Sequence, residues 1–247
     1  MRQTYEATGT VLEAEGAGPV LCLGAIADSL PPQCGGIPIE GWDWDAVSGQ
    51  ELAARATWGN YTVTGLYDGE TFTLIEAAPP RPPKRDDDPI EPGCSQPAGG
   101  WVLPDADRAS DVDYEKAIRE ARKEPDFSGA WVDYIGAPSE FNEEIILTLA
   151  FTGDLTRHEE QARETWGGPL CVVRHEKTYR ELRRIQNELH EIWKREFGLE
   201  VLASGTYEYR GVVAIEVLIV DAATQEELDA RYGAGVVEVT AQLRPIR

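Results

Sequence analysis

The chain has 247 residues, with 44 acidic side chains against 23 basic ones and a formal net charge of −21. Affinity for phosphate comes mainly from Lys and Arg, so this balance speaks against DNA, RNA and anionic membrane as partners. Mean hydropathy is −0.37, and no apolar run approaches the ~20 residues of a membrane helix, while seven Trp argue for a folded core.

Residues 1–79 read as all-β. Thr4–Glu13 alternates and ends in the turn cluster Glu15–Pro19, Val20–Ile26 is a short apolar run, and Gly36–Val47 carries Ile37, Ile39, Trp42 and Trp44. Gln50–Ala56 has the composition of a short helix. Tyr61–Tyr67 and Thr71–Ile75 flank Asp68-Gly69, a hairpin signal. Five short strands with turn glycines predict a small β-barrel, OB-like in type. This stretch holds two bases and eleven acids, which argues against nucleic-acid binding even for such a barrel.

Residues 80–103 read as a linker, opened by the Pro-rich run Pro79–Pro89. Residues 104–247 read as one α+β domain. Ser110–Glu124 has amphipathic spacing, with Val112, Ile118 and Ala121 apolar. A repeat of about 30 residues follows. The first copy is strand Ile145–Phe151, a helix ending Trp166-Gly167, and strand Leu170–Val173. The second is Val213–Val220, a helix ending Tyr232-Gly233, and Val236–Val239. Thr156-x-x-Glu159, Thr224-x-x-Glu227 and Thr178-x-x-Glu181 each have capping-box spacing, and Gly after the aromatic is the expected helix stop. The long helix from Thr178 carries the stripe Tyr179, Leu182, Ile185, Leu189, Ile192 and Trp193. Val201–Tyr209 then pairs with 212–220 across Arg210-Gly211. Two strand–helix–strand units sharing one sheet predict a ferredoxin-like sandwich.

The four cysteines lack C-x-x-C spacing, so neither a zinc ribbon nor a redox dithiol is signalled. Cys22 and Cys34 flank a turn-rich loop and are expected to pair, which leaves Cys94 with Cys171; four buried thiols are the alternative. Disulfides imply an oxidising compartment. Met1–Tyr5 lacks the apolar core of a signal peptide, so the expectation is a secreted or lipid-anchored protein whose signal segment lies outside this sequence.

Candidate chemistry is sparse. Asp43 and Asp45 alternate with Trp42 and Trp44; on a strand they form a carboxylate pair able to hold Ca²⁺ or do acid–base work, or simply a solvated face behind two buried indoles. His158, His175 and His190 make no H-E-x-x-H motif, and His175 reads as a loop or capping residue. G-x-S-x-G, Walker A and G-x-G-x-x-G are absent. Lys177, Arg180, Arg183, Arg184, Lys194 and Arg195 interleave with Glu181, Glu188, Glu191 and Glu196 on the long helix, a salt-bridged solvent face or a docking stripe. No metal and no cofactor is expected. Tyr207 and Tyr209 fall on one side of a strand with Glu208 on the other, so they form either an exposed interface pair or core under the helices.

Val172-Val173-Arg174-His175 with Glu181-Leu182, and Leu228–Gly233 with Val236–Val239, resemble segments in the pro-regions of secreted trypsin-like proteases of actinobacteria. Residues 1–79, with Pro31-Pro32-Gln33-Cys34-Gly35-Gly36, resemble uncharacterised secreted or lipid-anchored proteins of the same bacteria. No protease domain follows Arg247, so the resemblance implies a foldase- or inhibitor-like sandwich used as a binding module. The expectation is a non-enzymatic binding protein of the cell envelope whose partner is another secreted protein. The alternatives are a protease inhibitor or foldase, and an enzyme without a recognisable motif. Oligomeric state is left open.

Overall fold

The computed structural model describes residues 3–79, 93–134, 145–198 and 200–246. The Pro-rich run expected as a linker lies mostly outside them. The fold is mixed α+β, with strands in three sheets and no helix among the described residues long and apolar enough to cross a membrane.

The first sheet is ring-like. β1 (Thr4–Ala14) pairs with β2 (Val20–Cys22), β2 with β3 (Ile37–Glu40), and β3 runs parallel to β6 (Phe72–Ala78). β6 pairs with β5 (Ala56–Tyr67), and β5 returns to β1 along its whole length, Thr4 opposite Leu66 and Ala14 opposite Ala56. Closure lets one set of alternating side chains meet inside, where Ala7, Val11, Leu21, Ile39, Tyr61, Val63 and Phe72 are buried. Asp68-Gly69 makes the expected hairpin: Asp68 Oδ1 accepts from the amides of Glu70 and Thr71, and Gly69 sits at φ +109°. The short helix expected over Gln50–Ala56 is a strand instead. β4 (Glu51–Ala53) folds back on β5 through Ala54 and Arg55, both in the left-handed region, and pairing with an existing edge outweighs the weak propensity of three residues.

The rest of the chain builds one αββαβ unit twice. The first is α1 (Asp111–Ala121), β7 (Phe127–Tyr134), β8 (Ile145–Phe151), α2 (Leu155–Arg163) and β9 (Leu170–Arg174). The second is α3 (Tyr179–Ile192), β10 (Val201–Tyr207), β11 (Val212–Val217), α4 (Ala222–Tyr232) and β12 (Val237–Ala241). In each, an antiparallel pair continues through a helix into a parallel third strand. The strand–helix–strand copies therefore lie in two three-stranded sheets, not the one shared sheet expected. Each copy finds its antiparallel partner in the strand just before it, a shorter closure than pairing across the other copy. β13 (Arg244–Ile246) leaves the second unit and pairs with β1, carrying Leu218 and Leu243 into the ring's core.

Helix starts follow local chemistry that the Thr spacing only partly signals. Thr178 and Glu181 form the expected capping box of α3. The other two helices are capped two and three residues earlier than Thr156 and Thr224, by Asp154 and Asp221, whose carboxylates accept amides of the first turn. Likewise, α2 ends at Arg163, before Trp166-Gly167, and only Gly233 caps its helix directly. Val112, expected on the buried stripe of α1, points outward, and Ala117 and Ala121 take the inner face. On α3 the stripe holds: Leu182, Ile185, Leu189, Ile192 and Trp193 are buried in the second core, while Tyr179 packs on the first, so one helix joins both. Each such side chain contributes roughly 1.5–3 kcal/mol of burial. Among the described residues, Arg195 pairs with Glu196 just past the end of α3, and Arg231 of α4 bridges Glu188 and Glu196.

Candidate binding surface

The two disulfides pair as expected, Cys22 with Cys34 and Cys94 with Cys171. The second has a large structural effect. Cys171 lies on the side of the β7–β8–β9 sheet turned away from α1 and α2, and the chain around Cys94 is tied there. Gly93 comes so close to Val173 that a Cβ would stand 2.8 Å from its side chain. On that side of β8, Ile146, Thr148 and Ala150 are all buried. The opposite side, with Leu147, Leu149 and Phe151, packs under the helices.

The second sheet is built alike, but helices cover one side, and on the other only Val212 is buried among the described residues. Val213, Ile215 and Val217 face α3 and α4. The other side presents Gly205 and Tyr207 of β10, Ala214 and Glu216 of β11, and Glu238 and Thr240 of β12, none of them buried. Tyr207 is 39% exposed and its ring leans over Gly205 and meets Tyr209 edge-on, centroids 6.0 Å apart. The two tyrosines are thus together and at the surface rather than under the helices. Glu208, between them, points back into the first unit, where its carboxylate accepts the Ala130 amide at 2.9 Å and Arg122 at 3.2 Å. This anchor fixes the turn that carries the pair.

β10 is an edge strand, its only strand partner among the described residues being β11. Its helix-facing side chains are held in place: Gln186 of α3 donates to Ser204 at 3.4 Å and accepts from Thr206 at 3.0 Å. Beside them, between α3 and the sheet, lies a cavity of about 550 Å³ with Leu189, Trp193 and Ile215 as apolar walls and His190, Glu200 and Ser204 as polar ones. A strand whose outer edge is unpaired among the described residues, with a cavity on one side and paired tyrosines on the other, can accept an extended chain.

The remaining expected site residues lie apart from this surface, except His190. Asp43 and Asp45 do not form a carboxylate pair on a strand: after β3 the chain turns at Gly41 and makes a single 3₁₀ turn over Trp44–Ala46, with Asp43 accepting the Asp45 amide at 2.9 Å as its cap. Trp42, Trp44 and Tyr61 cluster edge to face, and the Trp44 indole donates to Glu13 at 2.6 Å. The three histidines stand in three places. His190 lines the cavity of the second unit. His158 is buried flat on Phe151, between Asp126 at 2.8 Å and Gln161 at 3.1 Å. With Glu124 this makes a cluster of metal-ligand spacing, but the Arg157 guanidinium reaches Glu124 at 2.7 Å and His158 Nε2 at 3.2 Å, placing a cation in it from the chain itself.

His175, half-buried after β9, stacks on Trp131, and burial lowers its pKa. Ser128 donates its proton to the Lys177 carbonyl at 2.6 Å, which leaves its oxygen to accept from His175 Nδ1 at 2.9 Å. A fully buried serine with a committed proton is a strut, not a nucleophile.

Asp133 is the group that sequence reasoning missed. It lies on the covered side of the first sheet, 6% exposed, with Oδ2 unpartnered among the described residues, and burial pushes its pKa up to about 6 against the nearby Trp131 indole. Its signal was an acid placed two residues after a tryptophan on a strand, a pattern shared by solvated faces. No protein-family model matches the chain, and no curated protein matches it.

Proposed function

We propose that this chain is a non-enzymatic binding protein of an oxidising, extracytoplasmic compartment, which takes up an extended segment of another protein along β10. The observation that carries the reading is the outer edge of β10, unpaired among the described residues, with Tyr207 exposed and Tyr209 half-buried beside it on one side and the cavity on the other. An added strand satisfies backbone groups along its length, and tyrosines bury large area with few rotors. Two disulfides support the compartment, since such bonds persist where thiols are not kept reduced. The acidic surface supports a protein partner over a polyanion. The ring of residues 4–78 fits an OB-like barrel, because its order β1-β2-β3-β6-β5 closes back on β1 with β3 and β6 parallel. In this reading the ring is the platform and the second unit the reader.

The test compares the wild type with Tyr207→Ala/Tyr209→Ala as bait in culture supernatant, with near-ultraviolet circular dichroism confirming the fold of both. The expected result is a protein retained by the wild type and lost from the variant. Identical captured proteins from two folded baits would remove the tyrosine side of β10 as the binding site.

A further inference from the structure

The cavity between α3 and the sheet of the second unit, about 550 Å³, lies within the size range of small-molecule sites. One face of α3 makes its wall, with Gln186, Leu189, His190 and Trp193 recurring at helical spacing. The helix then widens into a π turn over Trp193–Phe197 and stops at Gly198, whose φ is +65°. Single π turns recur at functional sites. Leu189, Trp193 and Ile215 are buried and form the inner walls, while His190, Glu200 and Ser204 are exposed and form the mouth.

Two groups of this lining have unmet chemistry. Trp193 is 2% exposed, and its indole Nε1 is buried without an acceptor among the described residues. A buried donor left unpaired is costly, so an oxygen brought to it gains the whole bond. A water held there would need two to four polar partners, which Leu189 and Ile215 do not offer. Glu200 is the second group: it is exposed at the mouth and has no ion-pair partner among the described residues. The described lining holds no Lys or Arg, so an anion finds no partner there and a cation finds Glu200.

We propose that the cavity is a binding site for a small aromatic amine that carries an oxygen on its ring. The ring fills the space between Leu189, Trp193 and Ile215, where an apolar body replaces water against apolar walls and an aromatic one. The ring oxygen accepts the Trp193 N–H, and the ammonium group pairs with Glu200 at the mouth. The net charge of −21 favours a cation at that mouth and repels a carboxylate. This site does not rest on the reading above, which needs the edge of β10, Tyr207, Tyr209 and a protein partner. The two tests share no reagent, so either reading can fail alone.

The experiment titrates the full chain calorimetrically with tyramine, tyrosol and 4-hydroxyphenylacetate at pH 8, where imidazole is neutral. The three probes share a phenol ring and differ in their tails, which are cationic, neutral and anionic. The expected result is saturable binding of tyramine at one site, with tyrosol weaker by about two- to fivefold and 4-hydroxyphenylacetate weakest. Glu200→Gln, at an exposed position, brings tyramine down to the affinity of tyrosol. Trp193→Phe keeps an aromatic wall without the N–H and lowers the affinity for tyramine and tyrosol alike by about three- to tenfold. Near-ultraviolet circular dichroism checks the fold of both variants. Should Trp193→Phe unfold, proton NMR of the wild type takes its place, and tyramine is expected to shift the Trp193 indole proton downfield. Tyramine without saturable binding to the wild type overturns the proposal. So does 4-hydroxyphenylacetate binding as tightly as tyramine, and so does an indole proton that tyramine leaves unmoved.

Discussion

The first and second αββαβ units differ most in their middle strands. β8, Ile-Ile-Leu-Thr-Leu-Ala-Phe, is buried at every position, while β11, Val-Val-Ala-Ile-Glu-Val, exposes alternate residues in part. The backbone bonds align them: the Leu147 amide donates to Pro169 just as the Val213 amide donates to Val236. Ala150 then corresponds to Glu216, and Thr148 to Ala214. A strand covered on both sides reads as a continuous apolar run, and one covered on a single side alternates. The same supersecondary unit therefore serves as a buried support in one copy and presents a surface in the other. The difference resides in one side of one strand and in the cysteine that ties a cover over it.

Placing a charge on equivalent sides of the two sheets breaks that comparison most directly. Ala150→Glu buries a carboxylate where there is no exposure and is expected to cost more than about 4 kcal/mol, whereas Ala214→Glu on the open side stays within about 1 kcal/mol. Chemical denaturation reads both, and equal losses would mean that the second side is also covered.

The next effect concerns the cover itself. Cys94 and Cys171 are 77 residues apart and Cys22 and Cys34 are 12 apart. In the loop-entropy account the first bridge contributes about 4 kcal/mol and the second about 3. Replacing Cys94 and Cys171 by Ala is expected to lower stability more, and to increase binding of a hydrophobic dye as Ile146 and Ala150 become accessible. Thiol titration of the denatured wild type without reductant should find no free thiol.

A smaller effect distinguishes the covered side by pH. Because Asp133 has its pKa raised to about 6, the folded state holds a proton that the unfolded chain releases near pH 4. Its contribution is fully present below pH 4 and declines as pH rises through 6. Asp133→Asn removes that decline, so the variant is expected to gain on the wild type by about 2–3 kcal/mol between pH 4 and 7. A constant difference across this range would show that Asp133 is ionised in the fold. His175 acts in the opposite sense, since its lowered pKa makes stability fall as pH drops below about 6.5. The comparison is therefore made between variant and wild type at each pH. Smallest of all, Tyr207→Ala should change stability by no more than about 0.5 kcal/mol, because a surface side chain held for a partner does little for the fold.

Much of this was open to reading along the chain because it is local. Period-2 alternation marked β1, β5 and β6, the 3.6-residue stripe marked α3, and Asp68-Gly69 marked its hairpin. The repeat was visible because its two copies share an aromatic-Gly pair between helix and second strand, although only Gly233 caps its helix directly. The expected Asp43/Asp45 pair failed for an equally local reason: an Asp side chain captures the amide two residues on as readily as it faces solvent, and here it starts a turn.

The sequence by itself determined most of the strands and helices, though not β4, β7 or β13, and which cysteines could meet across a short loop. Only the tertiary structure decided that the two copies form separate sheets, that β13 returns to β1, that Asp133 and His158 lose their water, and that Arg157 lies among the carboxylates. The physical reason is range. Backbone propensity and side-chain period act over a few residues, while desolvation and ion pairing depend on which distant segment comes to rest on the same spot.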